Sequence, residues 1–181
     1  MHFLRSLVFN FATYCGSFFS TLLALPTLIM PKKAMQWLAR MLGFYIIFCV
    51  RFIINTKIIF KGLENIPKDR KFFVASAHQS ICETFVFNAI LNAPIFIVKA
   101  ELFKIPFYGW CIKKLGFIGT HREKVTKDHL IFLEKTAEAI NKEASPLIIF
   151  PQGTRVKNNE RVQFKVLGSV IGHFTEQHPA S

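Results

Sequence analysis

The chain has 181 residues, enough for one domain of ordinary size with a real core. A hydrophobic fraction of 51%, 21 Phe and a net charge of +12 exceed what a charge-balanced soluble domain shows and fit an anionic, apolar partner such as a phospholipid surface. Nucleic acid would account for the charge but not for the aromatic and aliphatic surplus, and Cys15, Cys49, Cys82 and Cys111, with no C-x-x-C pair, indicate reduced thiols rather than a disulfide framework or a zinc cluster.

Ser6 to Met30 carries no formally charged side chain and is long enough to span a bilayer. A secretory signal is the rival reading, but Arg5 is the only early cation, no small-x-small cleavage site follows, and a second apolar segment comes soon after. Pro31, Lys32 and Lys33 break the run. Met35 to Ile54 then resumes with Leu38, Met41, Leu42, Tyr45, Ile46 and Cys49 at helical spacing, so residues 1–54 read as a membrane-associating helical hairpin. Arg40 and Arg51 in the second arm suit a helix lying partly in the interface, its cations reaching toward headgroups; the alternative is a buried core helix. By the positive-inside rule, Lys32, Lys33 and the domain after them face the cytoplasm, which places the chain on the cytoplasmic face of the plasma (inner) membrane.

A globular domain is expected over residues 55–181. Lys57–Lys61 reads as a strand closed by Gly62, and Pro67–Lys71 as a charged turn. Further strands are expected at Phe72–Ala77, Ile95–Lys99, Gly116–Gly119 and Leu147–Phe150, with helices at Thr84–Leu91, Phe107–Leu115 and Thr126–Glu143 between them. Such alternation predicts an α/β fold, a mostly parallel sheet flanked by helices.

Three stretches carry chemistry. Ser76–Phe85 puts His78 and Glu83 five residues apart where a strand ends, and a carboxylate in reach of an imidazole fixes its tautomer and stabilises the imidazolium. A histidine that merely caps a helix is the plainer reading. The second stretch runs from Lys99, Glu101 and Leu102 through Pro106, Gly109 and Gly116 to His121 and Arg122, supplying cations at strand ends and glycines where backbone bends or approaches a ligand. The third, Phe150–Arg155, drives a buried strand into a Pro and a Gly and exposes Arg155, whose planar fork suits a phosphate. Ser80 and Cys82 are weaker candidates as nucleophiles. His121 reads as an exposed loop histidine, and a metal site from His78, Cys82 and His121 lacks ligand spacing beyond the one i, i+4 pair, so no metal is expected.

Together and in this order the three stretches resemble the lysophosphatidic acid acyltransferases, the 1-acyl-glycerol-3-phosphate acyltransferase family. The family carries His-x4-Asp, here His78 to Glu83; K-x-E-L-x-x-x-P-x-x-G, here Lys99 to Gly109 with Arg122 beyond; and F-P-E-G-T-R, here Phe150 to Arg155. The likeness covers roughly residues 35–165, with Glu83 in place of the usual aspartate and Gln152 in place of the usual glutamate. It implies a glycerolipid-acyltransferase-like fold and transfer of a fatty acyl chain from acyl-CoA or acyl-carrier protein to the 2-hydroxyl of lysophosphatidate, with no cofactor. His78 and Glu83 would be the catalytic pair, Arg155, Arg122 and Lys99 would meet the phosphate, Gly153 would bring backbone donors near the developing oxyanion, and Thr154 would be a further substrate-binding residue. A non-catalytic or degenerate membrane-surface lipid-binding protein is the competing reading. In the family a further buried strand with a V-x-x-P-type motif follows; here Val166–Phe174 starts a helix and Thr175–Ser181 is polar, so the expectation is a C-terminally truncated domain with low turnover.

Overall fold

The computed structural model describes residues 2–67, 72–120 and 145–152. The helix expected over Thr126–Glu143, most of the Pro67–Lys71 turn, His121, Arg122, Gly153, Thr154, Arg155 and Val166–Phe174 lie outside the described residues.

The expected hairpin is present. Helix α1 spans His2–Thr27 and α2 spans Lys32–Cys49, the latter running on into a π-helical turn at Val50–Ile54. By length and composition both are long and apolar enough to cross a membrane, with mean hydropathy 1.4 and 1.8. Pro31 stands at the start of α2, and Asn55 ends the helical run at φ 59°, a left-handed stop that asparagine tolerates. Within α1, the hydroxyls of Thr21 and Thr27 donate to the carbonyls of Ser17 and Ala24, which satisfies them inside an apolar segment. The arms meet where the Tyr45 ring lies over Gly16, with its hydroxyl donating to Ala12 O at 3.1 Å.

Lys57–Lys61 is not a strand, which corrects the expectation. Thr56, Lys57, Ile59, Phe60 and Lys61 are all exposed, so the apolar alternation buries neither face, and the segment pairs with no strand among the described residues. Ordered pairing begins with β1, Phe73–Ala75, followed by α3, Cys82–Ile90; β2, Ile95–Lys99; a 3-10 turn, Ala100–Lys104; α4, Tyr108–Lys114; β3, Ile118–Thr120; and β4, Leu147–Ile149. The sheet is four-stranded in the order β1-β4-β2-β3, and every pairing is parallel. Helices flank it, as the alternation predicts. Strand β4 is the least exposed, with Ile148 at 0%, as expected for a branched apolar run covered on both faces.

On one face of the sheet Phe96 and Ile148 pack with Leu91, Val74, Phe87 and Phe150. A second cluster joins Ala24 of α1, Met35 of α2 and Cys111 of α4, which ties the hairpin to the domain. There the Lys114 ammonium donates to the carbonyls of Thr27, Leu28 and Met30, capping the C-terminus of α1. Gly116, at φ 81°, makes the bend after α4, and Gly109 lies so close to the Phe103 carbonyl that a Cβ would sit 2.2 Å from its oxygen.

Candidate active site

A parallel sheet sends the segments after all its strands to one edge, and because β1 and β4 are neighbours, the segment carrying His78 emerges beside Phe150–Gln152. The ladder continues past β1, with the Ser76 N–H donating to Ile149 O at 3.0 Å, so the chain is still aligned on β4 as it reaches His78. Four residues on, α3 begins and brings Glu83 into its first turn, where the helix dipole favours an anion.

The His78 Nδ1 lies 3.2 Å from Glu83 Oε2, and both side chains are largely buried. The same carboxylate accepts from the backbone N–H of Gln79 at 2.9 Å and of Ser80 at 2.9 Å. It therefore closes the turn between β1 and α3 as well as meeting the imidazole. With the carboxylate accepting at Nδ1, the imidazole carries its proton there, and Nε2 is left with a lone pair. His78 is not a helix cap; the N-cap position of α3 is Ile81, without a side-chain cap, and in the turn before it the Ser80 Oγ accepts from the Cys82 N–H at 2.9 Å. That contact also gives the Ser80 hydroxyl a structural task.

Two contacts to the third stretch were not read from the sequence. The His78 ring lies over the Phe150 ring, centroids 4.3 Å apart and planes inclined by 32°, and Phe87 lies beyond it at 6.5 Å. The Gln152 Oε1 accepts from the His78 backbone N–H at 3.3 Å, so Gln152 uses an oxygen that a carboxylate would supply equally. Period-two alternation would have found Phe150, since Val74 and Phe150 share one face, and His78 follows in the same parity.

Lys99 ends β2 at the same edge of the sheet, but its parity is that of Ile95 and Ile97, opposite to the face that Phe96 and Val98 share with Phe150. Its ammonium pairs with Glu101 at 3.4 Å, with both side chains about half exposed. His78, Glu83 and Gln152 are thus brought together and Lys99 is held elsewhere. An apolar cavity of about 100 Å³ lies among the four helices, lined by Ala24, Leu38, Leu42, Thr84, Phe85 and Leu115, next to the residue that follows Glu83. No group of three or more His, Cys, Asp or Glu among the described residues is arranged to hold a metal ion.

The family model described as Acyltransferase matches residues 57–170. The 1-acyl-sn-glycerol-3-phosphate acyltransferase of Pseudomonas aeruginosa is 30% identical over 127 residues, covering 70% of this chain and 49% of that protein. The enzyme of the same name from Helicobacter pylori is 35% identical over 96 residues, covering 52% of this chain and 40% of its own length. The chain thus spans about half the length, or less, of these relatives. Among solved structures, the 1-acyl-sn-glycerophosphate (LPA) acyltransferase of Thermotoga maritima shares the fold, with a TM-score of 0.67 at 22% identity, over 97% of this chain and 71% of that one.

Proposed function

Given that this chain belongs to the acyltransferase family, we propose that it moves a fatty acyl chain from a thioester donor to the 2-hydroxyl of a 1-acyl-glycerol-3-phosphate, giving phosphatidic acid. The observation that carries the reading is the His78–Glu83 pair, 3.2 Å apart at a strand end and only partly exposed. His78 Nε2 takes the proton of the substrate hydroxyl as its oxygen attacks the thioester carbonyl. Glu83 stabilises the imidazolium. The tetrahedral intermediate then collapses, the C–S bond breaks, and the imidazolium returns the proton to the departing thiolate, so the histidine ends as it began. No acyl-enzyme is required, and the two co-substrates supply every reacting atom.

Support for the substrate comes from the names of the relatives and from the third stretch, whose Arg155 is suited to a phosphate monoester; Arg122 adds charge, Gly153 offers backbone donors to the oxyanion, and Thr154 is a further substrate-binding residue. Lys99 contributes to the field at that edge rather than as a direct ligand while it is paired with Glu101. The apolar cavity among the helices suits the end of an acyl chain. The donor is a thioester of coenzyme A or of acyl carrier protein. Helices α1 and α2 hold the protein on the cytoplasmic side of the membrane that contains its lipid substrate.

The test is His78→Ala in the full chain, assayed for acyl transfer to lysophosphatidate and for membrane attachment. The expected result is a loss of about 10²- to 10⁴-fold in turnover with attachment unchanged. Equal turnover in both proteins would overturn the role of His78, and no turnover in either would leave the non-catalytic lipid-binding reading standing.

A further inference from the structure

The outer face of α2 changes character along its length. Lys33, Trp37 and Arg40 are exposed along its N-terminal half, and Phe44, Phe48 and Phe52 continue the same stripe at helical spacing into the π-helical turn. The Arg40 guanidinium lies 5.8 Å from the Phe44 ring centroid, and the Phe48 and Phe52 ring centroids lie 4.4 Å apart, so a cation meets a ring at the middle of α2 and a ring meets a ring at its end.

Its cationic half borders a groove of about 440 Å³, a size typical of a ligand pocket. Lys33, Gln36, Trp37 and Arg40 form one wall, and Asn88 of α3 and Asn92, just before β2, form the other. Among the described residues, none that lines it is Asp or Glu. Lys33 stands in the first turn of α2, where the helix dipole opposes a cation and where no acidic residue compensates. Because it opens beside the residues leading into β2 and β4, the groove lies at the end of the sheet opposite to His78.

We propose that this groove and stripe bind one anionic membrane phospholipid, its phosphate between Lys33 and Arg40 with the amides of Gln36 and Asn92 as further donors, and its acyl chains along Phe44, Phe48 and Phe52. The charge of the groove selects an anion. The aromatic continuation selects a lipid over a free phosphate, which would leave Phe44, Phe48 and Phe52 uncovered. Its phosphate, held at the end of the sheet opposite to His78, is separate from the reacting hydroxyl there, so this lipid is bound as a cofactor of attachment and orientation. The inference rests on the membrane placement of α1 and α2 and is independent of the reaction assigned to His78.

The test uses the full chain carrying Trp110→Phe, which leaves Trp37 as the single tryptophan, reporting from the groove. Vesicles of phosphatidylcholine and phosphatidylglycerol are prepared with bromine on the acyl chains of one lipid or of the other. Bromine on phosphatidylglycerol is expected to quench Trp37 more strongly than the same amount on phosphatidylcholine. Lys33→Ala with Arg40→Ala should abolish that preference and weaken partition into the mixed vesicles by about 5-fold for each cation removed. A control with Lys57→Ala and Lys61→Ala, which removes equal charge from an exposed segment that does not line the groove, should keep the preference. Equal quenching by the two lipids, or equal loss in the control, overturns the site in favour of diffuse attraction. The same Trp37 response to sodium phosphate without vesicles assigns the groove to a soluble anion and also overturns it. Failure to bind any vesicle removes the membrane placement and this site with it, whereas binding to neutral vesicles without lipid preference removes this site alone. Acyl transfer in detergent micelles, unchanged in the groove variant, verifies that it is folded.

Discussion

Glu83 has two loads, a pair of backbone N–H groups and an imidazole nitrogen, and substitutions separate them. Glu83→Gln keeps one oxygen to accept from the turn but offers no charge to an imidazolium, so turnover is expected to fall by about 10²- to 10⁴-fold with little change in melting temperature. Glu83→Ala leaves the Gln79 and Ser80 donors unpaired and should lose about 1–3 kcal/mol of stability as well, measurable by urea unfolding. Gln152 separates charge from geometry in the same way. Gln152→Glu keeps the acceptor for the His78 N–H and is expected to retain most of the activity, while Gln152→Ala frees the His78 backbone and lowers turnover more than it raises any KM. The pairing of His78 with Glu83 was legible because both lie across one strand-to-helix turn. The stacking on Phe150 and the bond from Gln152 were not, since the latter spans 74 residues and depends on β4 lying beside β1, an order that no local pattern encodes.

At the scale of elements, the described helices and β2 follow from apolar periodicity, and Lys57–Lys61 shows where periodicity fails. Alternating residues make a strand only if one face is covered and an edge is available to pair; between the left-handed turns at Asn55 and Gly62 this segment has neither among the described residues. The docking of α4 was also hidden, because it depends on close approaches rather than on pattern. Gly109→Ala would set a Cβ against the Phe103 carbonyl, a backbone collision that no rotamer relieves, and is expected to destabilise by about 1–3 kcal/mol in thermal or urea unfolding. Lys114→Met keeps the side-chain length but removes the ammonium from the α1 carbonyls, with an expected loss of about 1–2 kcal/mol, below the full value of a charged hydrogen bond because the site is partly open to solvent. Cys111, buried beneath that contact with its thiol pushed above the ordinary range, should react with a maleimide only once α4 has separated from α1.

For the whole molecule, the uncharged run of α1 makes attachment a matter of apolar burial, which salt does not screen. Intact protein is therefore expected to stay in the membrane fraction at high ionic strength, and release by salt would mean an electrostatic anchor. The hairpin itself was legible from composition, whereas its seating on the domain was not. That seating is tightest at Gly43 of α2, where a Cβ would lie 2.4 Å from Phe85 O and 2.9 Å from Ala89 N of α3. Gly43→Leu is expected to force the two helices apart and reduce turnover while attachment persists. The helix that leans on α2 here, at Phe85 and Ala89, also carries Glu83 in its first turn, so the carboxylate stands on the same short helix, about 3–9 Å along its axis from the contact with the anchor. A bilayer thinner or thicker than the apolar length of α2 changes the tilt of α2, and α3 carries the tilt to the imidazole. The rate of the proposed reaction in vesicles of graded chain length is therefore expected to pass through a maximum.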